Sequence, residues 1–195
     1  MRISEILTES VINEVTRPDI DAAKEILTKA GYKMIGGGFE SLVFQRPGDP
    51  YVLKLIDAYA TAYFDFIKLS QSTNNIHFPK FKGQLINVLP GYYLAIRMEP
   101  LTPYKGEYKT ISALERYAVQ FQRANGDESK MNPDVVQQIN DVEVVQPGIK
   151  KACQLIAMHL FAKEHYESDM AAQNTMMRGN TIVITDPVMF DDNEY

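Results

Sequence analysis

The sequence predicts an α+β chain of two lobes, an antiparallel sheet followed by a reduced helical half. Three observations predict it. Between residues 32 and 98, short apolar runs alternate with turn signals, the pattern of a strand meander. At Glu99-Pro100-Leu101-Thr102-Pro103, a pair of prolines stiffens a linker. Beyond it, apolar residues recur at helical spacing over 112–124 and 147–163. The expected segments are an N-terminal helical extension over 1–31, a strand-rich lobe over 32–98, and a linker with the helical lobe over 99–195.

Taken in order, Ile3, Ile6, Leu7, Val11 and Ile12 fall on one face of a helix, with Ser4 as a candidate cap. Pro18 opens a second helix at its permitted first turn, and Gly31 closes it after Leu27 and Ala30. Neither helix carries recognisable chemistry, so a docking or bracing role is expected. Met34-Ile35, Leu42-Val43-Phe44 and Tyr51-Val52-Leu53-Lys54-Leu55 read as three antiparallel strands. Gly36-Gly37-Gly38 and Pro47-Gly48-Asp49-Pro50 separate them. Residues 58–72 return to helical spacing, and 82–88 and 92–98 form two more strands around Pro90-Gly91. In the second half, helices are expected over 112–124, 133–140 and 147–163, with a polar loop over 125–132. The runs 175–178 and 181–185 flank Gly179-Asn180, a hairpin signal.

The 195 residues are 45% hydrophobic and 23% charged, enough apolar material for a core. A net charge of −5 argues against non-specific nucleic-acid binding, because no basic excess faces the phosphates. Cys153 is the sole cysteine, which excludes an internal disulfide and suits a reducing compartment. Its apolar surroundings read as those of a small buried hydrophobe rather than a nucleophile. No run reaches the roughly 18 apolar residues that span a bilayer. The first residues also lack a secretory apolar stretch. A cytoplasmic location without a membrane partner is expected. His77, His159 and His165 show no metal-ligand spacing.

Phosphate binding favours backbone N–H groups that can crowd an anion, and glycine permits that approach. Gly36, Gly37 and Gly38, followed by Phe39-Glu40-Ser41, place such a loop between two strands. The Gly-Lys-Ser/Thr ending of a P-loop is absent, which disfavours that class. Lys54 lies among Val52, Leu53, Leu55 and Ile56, where a lysine needs a snorkelling path or an anionic partner. Asp169 and Asn174 stand five apart on a loop, and Asp186 ends an apolar strand beyond the hairpin. One carboxylate can accept a hydroxyl proton, while an amide oxygen and a second carboxylate hold magnesium on phosphates. Each of these residues alone reads as a turn or cap residue. The ordered set is the informative signal.

In that ordered set the sequence resembles the protein-kinase superfamily, including the small kinase-like proteins of tailed bacteriophages and the aminoglycoside-phosphotransferase branch. The resemblance covers residues 32–188. It implies a bilobal fold that binds ATP and Mg²⁺. Gly36, Gly37, Gly38 and Ser41 would cover the phosphates, and Lys54 would pair with them. Glu99 and Leu101 would be the hinge that meets adenine. Asp169 would be the catalytic base, Asn174 a metal ligand, and Asp186 the main metal ligand.

The sequence departs from that family's pattern at several positions. Ser41 replaces the third loop glycine, and His-Arg-Asp is Glu167-Ser168-Asp169. Ala171 stands where Lys or His steadies the transferred phosphate, and Asp-Phe-Gly is Asp186-Pro187-Val188. Asp65 is the only acid in 58–72 to pair with Lys54. Nine residues follow Asp186, too few for an activation loop or a peptide platform. Two main readings follow. One is a phosphotransferase acting on a protein or small-molecule hydroxyl. The other is a pseudokinase that binds a folded protein partner, such as a phage effector acting on a host protein in the host cytoplasm. A non-nucleotide α+β domain is the third.

Overall fold

The computed structural model describes residues 20–37, 41–163 and 165–190. The helix expected on Ile3, Ile6, Leu7, Val11 and Ile12 therefore lies outside the described residues, as do Pro18 and Gly38. Helix α1, Ile20–Lys29, buries Ala23 and Leu27, one turn apart. It stops as the sequence predicts. Gly31 adopts φ +84°, its N–H reaches Thr28 O at 2.9 Å, and Tyr32 N–H reaches Leu27 O at 3.0 Å. That pair of reverse bonds satisfies the last carbonyls and ends the helix.

Strands β1 (Lys33–Gly37), β2 (Ser41–Gln45), β3 (Val52–Asp57), β4 (Phe81–Leu89) and β5 (Tyr93–Met98) form an antiparallel sheet, ordered β1-β2-β3-β5-β4. The mixed α+β class expected from the sequence is the one observed. The chain divides into two compact units, one holding residues up to Tyr59 with Gln84–Ile96, the other Ala60–Gly83 with the chain from Arg97 onward. In the first, Ala23, Leu27 and Tyr32 pack with Phe44, Leu53, Leu55, Tyr93 and Ala95. Alternate residues of the strands meet α1 there, which is what period-two burial requires.

The second unit holds α2 (Thr61–Ser72), α3 (Tyr108–Arg123), α4 (Pro133–Val145) and α5 (Ile149–His159). It also holds β6 (Thr102–Pro103), β7 (Tyr166–Ser168), β8 (Thr175–Arg178), β9 (Thr181–Ile184) and β10 (Val188–Phe190). Strands β6, β8 and β9 form one small sheet, and β7 pairs with β10. Ile111, Leu114, Ala118, Val135, Ile139, Ile149, Ala152, Cys153 and Ile156 are its buried helical core. Cys153 is fully buried in that core, and burial pushes its thiol well above the usual range.

Helix boundaries differ from the sequence reading for identifiable reasons. Helix α3 starts at Tyr108 rather than 112, because its first turn is Tyr108, Lys109 and Thr110, which carry no apolar period. Helix α4 runs on to Val145, past 140, with Val144 and Val145 exposed. Helix α5 begins only at Ile149, since Gly148 at φ +93° makes the turn that precedes it. The residues 58–72, read from sequence as part of the strand-rich lobe, yield α2, which belongs to the second unit. Its Phe66 ring meets Phe78 edge-on at 5.6 Å and Phe81 at 6.4 Å.

Polar links brace this unit. Tyr117 donates to Glu128, Gln154 donates to Tyr117 Oη at 2.9 Å, and Lys150 donates to Glu128 Oε2 at 2.9 Å and to Asn140 at 3.0 Å. The expected polar loop over 125–132 thus contains a structured turn, Glu128–Lys130, capped by Asp127. The buried His77 ring reaches Ile182 O at 2.7 Å and Pro147 O at 3.0 Å, tying the segment after α2 to β9 and to the α5 turn. Among the described residues, no helix is long and apolar enough to cross a membrane.

Candidate functional site

In the first unit the phosphate-loop expectation needs one correction. Gly36 and Gly37 are strand residues of β1, paired with Val43 and Leu42, rather than loop residues. An irregular register between Met34 and Gly36 leaves Ile35 as the extra residue of a bulge. A Cβ on Gly37 would lie 2.5 Å from the Leu42 side chain, whereas one on Gly36 would meet nothing within 4 Å. Gly37 is therefore a glycine for close strand packing, and Gly36 keeps open backbone. Ser41 begins β2 opposite Ile56. Lys54 sits in the middle of β3, opposite Val43, and only 6% of it is exposed. A buried ammonium is costly unless it is paired with a negative group.

In the second unit, the short β7–β10 pair sets the positions of Asp169 and Asp186. Ser168 is opposite Val188, so Asp169 and Pro187 leave the ladder side by side, and Asp169 N–H donates to Pro187 O at 2.9 Å. The turn Ala172–Asn174 then brings Asn174 back. Its amide Nδ2 donates to Asp169 O at 2.9 Å and to Asp169 Oδ2 at 2.6 Å. Its carbonyl accepts from both the N–H and the hydroxyl of buried Thr185, each at 2.9 Å. With Nδ2 spent on Asp169, the amide oxygen Oδ1 is the atom left for a cation.

Burial raises the Asp169 carboxyl above its ordinary range, the Asn174 bond opposes this, and the charges of Asp186 and Glu115 add to the rise. Asp186 adjoins Pro187, whose carbonyl accepts the Asp169 N–H at 2.9 Å. A cavity of about 360 Å³ opens beside Asp169, lined by Tyr108, Ile111, Ser112, Glu115, Ser168 and Ala171 among others. Glu115, on α3, accepts from Ser168 Oγ at 3.3 Å. Sequence spacing gave no reason to select it, because only the packing of α3 brings it to this loop.

Two acidic side chains are engaged within the second unit. The Glu99 carboxylate is not offered to a ligand, because Oε2 accepts from Arg178 Nε at 2.7 Å and Oε1 accepts from Arg178 Nη2 and from Lys80 N–H. Asp65, the candidate partner of Lys54, accepts from Lys68 at 3.0 Å, Lys163 at 2.5 Å and Tyr166 at 2.8 Å. Asp65 is thus engaged inside the second unit.

Burial works to raise the Asp65 carboxyl, but the bonds from Lys163, Lys68 and Tyr166 outweigh it and bring it to about 2. An ordinary aspartate titrates near ~3.9, so the folded value is the lower one. Stability from this group is present above the unfolded value and is lost as pH falls through the folded one. Urea midpoints of the wild type should therefore drop between roughly pH 4 and pH 2 more than those of Asp65→Asn. Parallel curves for the two proteins would remove Asp65 as the cause.

No protein-family model matches the chain, and no curated protein matches its sequence. The site is thus read from its own chemistry. Among the described residues, no group of three or more His, Cys, Asp or Glu could hold a metal ion alone. Asn174 and Asp186 do offer the hard oxygen donors that magnesium prefers, and that ion commonly takes its other ligands from phosphate and water.

Proposed function

We propose that the chain is a kinase-like protein that binds ATP with magnesium and transfers phosphate to a hydroxyl. The observation that carries this reading is the Asp169–Asn174–Asp186 cluster, with the Asn174 amide on Asp169 at 2.6 Å and the Asp169 N–H on the carbonyl of Pro187, next to Asp186, at 2.9 Å. A base near a second carboxylate and an amide oxygen is what phosphoryl transfer needs, since that reaction relies on positioning and charge stabilisation. In this reading Gly36, Gly37, Gly38 and Ser41 bind phosphate, Lys54 pairs with it, and Glu99 and Leu101 receive adenine through backbone groups. Asn174 Oδ1 and Asp186 would hold magnesium, which when bound neutralises charge on the phosphates. Asp169 Oδ2 is held by Asn174, which orients Oδ1 toward an acceptor hydroxyl whose proton it takes. The cavity beside Asp169, at about 360 Å³, favours a small acceptor or a single inserted side chain.

Ala171 supports a second reading. It lines the same cavity with a methyl group where a cation would steady the transferred phosphate. A pseudokinase that binds nucleotide and a folded partner is consistent with that loss. Both readings expect ATP with magnesium to raise the melting temperature by mass action. Lys54→Ala and Asp186→Ala should each diminish the shift, the first through a lost phosphate contact and the second through a lost metal ligand. An unchanged wild-type melting curve at saturating ATP and magnesium would remove both.

A further inference from the structure

We propose that Arg178 is the positioning residue of the adenine contact, a role that rests on the nucleotide reading above. Arg178 is the last residue of β8, before the turn in which Gly179 takes φ +57°. Its guanidinium bonds two separate segments at once, at Glu99 and at residues 76–78. Nε and Nη2 grip both oxygens of Glu99, Nη1 donates to Ile76 O at 2.6 Å, and Nη2 donates to Phe78 O at 2.9 Å. Glu99 answers with Lys80, accepting its N–H at 2.7 Å and donating its own N–H to Lys80 O at 3.1 Å. Burial tends to raise the Glu99 carboxyl, yet Arg178 and the Lys80 N–H hold it below its ordinary range. The pair is an ion pair at neutral pH.

Three residues after Glu99, Thr102 and Pro103 pair with Met177 and Met176 of the same β8 strand. The stretch 99–103 is therefore fastened to β8 at both ends, by the Arg178 fork at Glu99 and by the ladder at Thr102. Pro100 limits what lies between, because its ring fixes φ. That double fastening constrains the backbone between, which in this proposal offers the base the Glu99 carbonyl and the Leu101 N–H. A base edge read by one acceptor and one donor tolerates only about half an ångström of error. Arg178 supplies that tolerance without touching the base. Lysine cannot replace it, since an ammonium is a point charge and cannot fork across a carboxylate while reaching two further carbonyls.

A purely structural role would weaken every nucleotide equally, so the informative readout is the preference between bases. Dissociation constants for ATP and for UTP, each with magnesium, should be measured for the wild type, Arg178→Lys and Arg178→Gln. The wild type should favour ATP, and both variants should lose about tenfold of that preference, the worth of one well-placed hydrogen bond. UTP affinity should change far less. Lysine keeps the charge and glutamine keeps two donors, so at least one variant should retain the wild-type circular dichroism. A wild type that binds both nucleotides without preference, an unaltered preference in the folded variants, or an equal loss for both nucleotides overturns the role of Arg178. A wild type that binds neither nucleotide overturns the nucleotide reading itself, and that result is obtained before any variant is made.

Discussion

Asp169→Asn is expected to lower phosphoryl transfer by about 10²- to 10⁴-fold while leaving folding and ATP affinity intact. The loss follows from chemistry, because an amide cannot take the proton of an acceptor hydroxyl. Folding should survive for a separate reason. The Asp169 carboxyl is raised by burial and by the charges of Asp186 and Glu115, so ionising it costs more in the folded chain than in the unfolded one. For a carboxyl raised on folding, stability is lost as pH climbs from the unfolded value through the folded one. A neutral Asn removes that cost, and its own carbonyl can accept from Asn174. The melting temperature at pH 7 should thus hold or rise. The acid limb of the wild-type rate should lie above the ordinary aspartate range of ~3.9, since the base works only when ionised. Equal phosphate release by wild type and variant would assign the protein to the binding reading.

The second large effect concerns stability. Phe66→Ala is expected to cost about 3–5 kcal/mol, the range for deleting a buried aromatic ring. Phe66 is fully buried on α2, and its ring sits 5.6 Å from Phe78, 6.0 Å from Tyr63 and 6.4 Å from Phe81. All four residues belong to the unit that includes the helical half. Loss of this ring should therefore lower the urea midpoint of that unit, read through hydrogen exchange of the amides in α3 and α5. A variant that melts like the wild type would show that α2 is not part of that core.

Much of the architecture was legible because it rests on local rules. The Gly31 stop of α1 and the hairpin at Gly179 follow from residues that permit positive φ, and sequence states these directly. The strands of the five-stranded sheet follow from short apolar runs set between turn signals. The candidate cluster was legible too, since Asp169 and Asn174 are neighbours in sequence and Asp186 ends an apolar run. What escaped is what tertiary packing decides. Strands β7 and β10 are three residues each, too short to show a period, yet they bring Asp169 beside Pro187. The carboxylates of Asp65 and Glu99 are claimed by Lys163 and Arg178, partners distant in sequence. Glu115 was invisible for the same reason. A charge on a helix announces its face and not its neighbour.

The central claim is that this chain holds ATP through magnesium, and one equilibrium titration tests it most directly. Labelled ATP titrated into the wild-type protein should bind saturably at one site when magnesium is present. Binding should weaken by at least about tenfold when the ion is chelated, since Asn174 and Asp186 would then face the phosphates without it. Failure to saturate at millimolar ATP with magnesium, or the same affinity with and without the ion, would contradict the account.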